Sequence, residues 1–70
     1  MPSEQTSNPQ VHAEHIRGML NDTIRHIRAD EQRVNDVQAK ALFETTAEVL
    51  GGLVKAYDDY EQRRPAWRAE

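Results

Sequence analysis

Three histidines, His12, His15 and His26, are the side chains in this 70-residue chain best suited to hold a metal, because imidazole binds zinc and similar ions and cysteine is absent. On a helix, His12 and His15 share one side at a spacing of three, and Asp22 and His26 do so at a spacing of four. Each pair offers two ligands, where a closed structural site takes four. His15 and His26 lie about 16 Å apart along a helix axis, too far for one ion. The remaining metal reading is a site completed between chains, with His15 of one facing Asp22 or His26 of another across antiparallel helices. The Glu-x-x-His pair of di-iron carboxylate bundles does not occur in the sequence. No cofactor is expected.

A second constellation is basic. Arg17, Asn21, Arg25 and Arg28 fall on one helical face, and two such helices side by side would present a basic stripe to an RNA or DNA backbone. Glu14 shares that face, however, and the chain carries a net charge of −3. A solvated face with Glu14–Arg17 and Asp22–Arg25 pairs is the plainer reading. For covalent catalysis there is no cysteine nucleophile, no Gly-x-Ser-x-Gly turn and no glycine-rich phosphate loop, while Ser3 and Ser7 lie in a polar N-terminal stretch. The expectation is a protein that is not an enzyme.

Two helices must carry these groups. Asn8 before Pro9 marks a helix start, since asparagine caps free amide groups and proline at the first helical position gives up no hydrogen bond. Helix 1 is expected at about 9–31, with Ile16, Leu20, Ile24 and Ile27 on one stripe and Thr23 among them. Asn35-Asp36-Val37-Gln38 supplies the next start: Asn35 is the expected cap, Gln38 reaches back to it, and Val34 packs on Ala39. A turn within about 30–35 makes the helices antiparallel neighbours. Helix 2 is expected at about 36–62, with Pro65 forbidding its continuation. Residues 1–8 read as a disordered polar leader and 63–70 as a tail. Its Trp67 is expected to fold back onto the bundle end or to anchor in another protein.

The apolar residues of helix 2 are too many for one neighbour. Leu42, Phe43, Thr46, Ala47, Leu50, Leu53, Val54, Tyr57 and Tyr60 cover close to half its circumference, wider than the stripe a single partner helix buries. A chain this short, without disulfides, is also marginal for a core of its own. The expected fold is therefore an all-α antiparallel hairpin of two long helices that dimerises into a four-helix bundle.

Ala41, Thr45, Gly52 and Ala56 form a seam of small residues beside the large stripe, suited to close approach by a neighbouring helix. Gly51 points to the far side with Glu44, Glu48, Lys55 and Asp58. The alternative is that both glycines are tolerated surface residues or that they break the helix. The expected oligomer interface combines Ile16, Leu20, Ile24, Ile27, Leu42, Phe43, Leu50, Leu53 and Tyr57 with that small seam.

The paired hairpin resembles Rop-type RNA-binding dimers in architecture alone, a likeness that carries no functional residue across. No signal peptide or membrane-spanning run is expected. The sequence reads best as a small cytoplasmic, homo-oligomeric interaction or accessory protein, with an RNA-binding or a metal-binding bundle as alternatives.

Overall fold

A computed structural model describes the backbone of residues 7–68 and the side chains of residues 7–62. The first six residues of the polar leader, the side chain of Trp67 and the last two residues lie outside the described residues. Two helices pack against each other: α1, Pro9–Glu31, and α2, Val37–Arg68.

The start of α1 follows from its first two residues. Asn8 is extended, its side-chain oxygen accepts from Gln10 N–H at 2.9 Å, and Pro9 fills a position whose amide would have had no helical partner. The helix ends without glycine. Gln32 keeps right-handed helical angles, its N–H donates to Ala29 O at 3.2 Å, and Arg33 N–H donates to Asp30 O at 2.9 Å. Lys40, one turn into α2, donates from Nζ to Glu31 O at 2.7 Å. A cation therefore sits at the negative end of the α1 dipole and joins the end of one helix to the start of the other.

The cap of α2 differs from the sequence expectation. Asp36, not Asn35, holds the first turn, accepting from Gln38 N–H at 3.0 Å. Both residue types cap well, but the carboxylate adds a full negative charge at the positive end of the helix dipole. The far end differs too. α2 runs past Gln62 and through Pro65 to Arg68. Proline's fixed φ is helical, so a helix can carry it at the loss of one backbone hydrogen bond.

The two helices meet along matching seams. On α1 the less exposed positions include Ala13, Arg17, Leu20, Ile24, Ile27 and Glu31; on α2 they include Lys40, Phe43, Ala47, Leu50, Val54, Tyr57 and Glu61. Both sets alternate steps of three and four, the spacing of a coiled-coil seam. Among the described residues, only Ala13 at 8% and Ala47 at 2% exposure are buried, and no large side chain is fully enclosed. The two buried side chains are small, while the larger side chains along the seam stay half in solvent. The chain builds one side of a core and does not close it.

Gly51 and Gly52 lie inside a continuous helix, and no glycine has positive φ, so the helix-break alternative is overturned. A Cβ built at either position meets nothing within 4 Å. Gly51→Ala is therefore expected to raise stability by up to about 1 kcal/mol, through better helix propensity and a less flexible unfolded chain. At the α2 start, Asp36→Ala should destabilise by about 1 kcal/mol and Asn35→Ala by much less. Chemical denaturation of the three variants measures both differences.

Candidate interaction surface

The charged and apolar side chains of the hairpin separate onto its two flat sides. One side holds ion pairs. Arg17 on α1 donates to Asp58 at 2.5 Å and to Glu61 at 3.1 Å on α2, and Arg28 donates to Glu44 at 3.0 Å. The hydrogen bond to Asp58 and then the charge of Glu61 raise the pKa of the Arg17 guanidinium above its ordinary value. Glu44 and Asp58, expected on the far side of helix 2, thus bridge to α1. A carboxylate beside the seam lies within reach of a long arginine on the facing helix. Arg25 pairs with Asp22 within α1, as one of the two expected local pairs, whereas Arg17 crosses to α2. Lys55 and Asp59 pair at 3.3 Å on the outside of α2.

The other side is apolar. At about 100° per residue, Leu42, Thr46, Val49, Leu53, Ala56 and Tyr60 form a stripe on α2 one residue out of step with the hairpin seam. Of these, Leu42 is 62% and Val49 58% exposed, and Leu53 and Tyr60 are exposed as well. On α1 the corresponding stripe begins with His12, Ile16 and Met19, with Met19 55% exposed, and continues through Thr23, His26 and Asp30 toward the turn. The two stripes border a shallow groove of about 420 Å³ at the open end of the hairpin, lined by Pro9, His12, Ala13, Ile16, Ala56, Tyr57 and Tyr60.

This arrangement divides the expected interface. Leu20, Ile24, Ile27, Phe43, Leu50 and Tyr57 are half-buried along the hairpin seam, within one chain. Ile16, Leu42 and Leu53 stay exposed on the apolar side, and Ala41, Thr45, Gly52 and Ala56 are exposed at its edge and beyond. Val49 and Met19 were missed. Their signal is the second run of three-and-four spacing on each helix, which a count of one wide stripe blurs into the first.

The apolar side carries little unmet polarity. Thr23 Oγ1 donates to Met19 O at 2.9 Å and Thr46 Oγ1 to Leu42 O at 2.8 Å, so both hydroxyls are satisfied by their own helix.

The other candidate sites are less assembled. Among the described residues, no three histidine, aspartate or glutamate side chains come together as a metal site. His12 lines the groove, while His15 and His26 are exposed on α1. Arg17, Arg25 and Arg28 each face a carboxylate, which leaves the basic stripe with little uncompensated charge, and half-buried Asn21 is neutral. Among the described residues, no helix is long and apolar enough to cross a membrane.

RNA and duplex DNA are accordingly expected to bind weakly and only at low salt, as read by fluorescence anisotropy across a salt titration. Submicromolar binding at physiological salt, lost in Arg25→Ala with Arg28→Ala, would bring the arginine face forward as the functional surface. No family model, curated protein or solved structure matches this chain.

Proposed function

We propose that the chain is a small non-enzymatic interaction or accessory protein of the cytoplasm that works as a homo-oligomeric helical bundle, with a dimer of hairpins as the favoured form. One observation carries this reading: six large apolar residues, Ile16, Met19, Leu42, Val49, Leu53 and Tyr60, lie exposed on the same side of the hairpin. A contiguous apolar surface of that kind marks a contact site in a small protein.

A second copy suits this surface for two reasons. In a four-helix bundle each helix touches two neighbours at roughly a right angle, and the two stripes of α2, one residue apart, are separated by about 100° around its axis. α2 thus has the two faces of a bundle corner, of which the hairpin covers one. The second reason is energetic. With only two alanines buried among the described residues, the hairpin lacks the enclosed apolar volume that offsets chain entropy in a fold of this size. Pairing two copies would enclose the half-buried seam and the exposed side together.

Sedimentation at low micromolar concentration is expected to show a folded dimer and no folded monomer. A stable, fully helical monomer would overturn the proposal. Val49→Glu lies away from the hairpin seam and should weaken self-association at least about tenfold, equivalent to ~1.4 kcal/mol.

A further inference from the structure

We infer that the second copy docks chiefly through α2, so that the α2 helices of the two copies pack antiparallel with the two-fold axis passing beside Gly52. This rests on the dimeric bundle proposed above and assigns its arrangement. Four features of the hairpin carry it.

The first is continuity. The exposed stripe of α2 runs without a charge from Leu42 to Tyr60, about 27 Å of helix. The α1 stripe is apolar only at Ile16 and Met19 and turns polar through His26 and Asp30. An interface centred on α2 buries the uninterrupted stripe and leaves the polar half of α1 at the margin, where Asp30 keeps its water.

The second is symmetry. In an antiparallel contact across a two-fold axis, residues equally far from the centre face each other. Within the stripe, with residue 51 as that centre, Leu42 faces Tyr60, Thr46 faces Ala56 and Val49 faces Leu53, while on its flank, one residue earlier at Thr45, Gly52 and Asp59, the helical offset centres the facing pairs on residue 52. Large side chains meet large and small meet small, which fills the contact evenly. A parallel pairing would instead set each stripe residue against its own copy and align the two helix dipoles.

The third is Gly52 itself. It sits in regular helix, and a Cβ there would meet nothing within 4 Å, so neither backbone conformation nor packing within one chain calls for glycine. Beside the two-fold axis Gly52 faces its own copy, where a missing side chain lets two helices cross closely. Thr45, one heptad earlier on the same edge, then faces Asp59 of the second copy. Gly51 points to the charged side, and nothing in the hairpin accounts for it. The fourth is the hydroxyl of Thr46, already donated to Leu42 O at 2.8 Å, so burial of the stripe strands no donor there.

The chain contains no cysteine, which makes single-cysteine cross-linking unambiguous. Gly52→Cys, Thr45→Cys and Asp59→Cys are each sedimented under reduction and then oxidised mildly. Gly52→Cys should cross-link to itself at least about tenfold more than Thr45→Cys or Asp59→Cys alone, whose sulfurs would stand about 20 Å from their own copies. A mixture of Thr45→Cys and Asp59→Cys chains should cross-link to each other, a test that leaves Gly52 in place. Dimers in which Thr45→Cys and Asp59→Cys each self-link would overturn the antiparallel arrangement, and dimers in which neither the mixture nor Gly52→Cys links would remove α2 from the interface. Folded monomers in all three reduced variants and in the unaltered chain would overturn the dimer itself.

Discussion

A pair of helices has no inside. Two cylinders touch along a line, and side chains at that line are covered from one direction only, so a hairpin can bring apolar groups together without removing them from water. The burial pattern shows this limit directly: among the described residues the two buried side chains are alanines, and Leu20, Ile24, Phe43 and Leu50 along the seam are half covered. Everything else about the chain is arranged around that shortage. Caps at Asn8 and Asp36 and the lysine clamp at Glu31 O secure the helix ends locally, where each can act without a core.

The distribution of charge decides how the shortage is met. Arg17 with Asp58 and Glu61, and Arg28 with Glu44, tie the two helices together on one side of the seam. Exposed pairs of this sort contribute little stability on their own, but they are directional. Sliding one helix by a turn, or stacking a second layer on that side, would separate or desolvate the partners. The opposite side offers no such penalty on α2 between Leu42 and Tyr60. Register within the hairpin and the apolar character of its other side therefore follow from the same placement of charge.

Much of the hairpin was legible because its signals are local. Asn8-Pro9 names a helix start by two independent mechanisms, and the run from Ile16 to Ile27 repeats often enough to fix a helical period. The misreadings arise where local rules tie or fall short. Asn35 and Asp36 are both good caps, and a one-residue choice between them turns on charge. Pro65 disfavours a helix without forbidding one. Glu44 and Asp58 lie on the far side of a helical wheel, but a wheel gives direction and omits reach, and an arginine on the neighbouring helix spans the gap. Val49 was lost because two overlapping stripes read as one broad one. For the site, the sequence gives no single motif; what it holds is a second periodicity, visible only once the first has been assigned to the α1 contact.

That second periodicity also separates an interaction surface from a catalytic one. A catalytic site needs polar groups converging on an enclosed volume, with their ionisation tuned by burial or by close charge. Here the groove is shallow, its lining is mostly apolar, and the ion pairs that join the two helices, Arg17 with Asp58 and Glu61 and Arg28 with Glu44, lie on the opposite side. Threonine hydroxyls on the apolar side are turned back onto their own helix, where they neither bind a ligand nor resist burial. On the function proposed above, a surface that has disposed of its polar groups in this way, and that repeats at the spacing of helix packing, is where a second helix would pack.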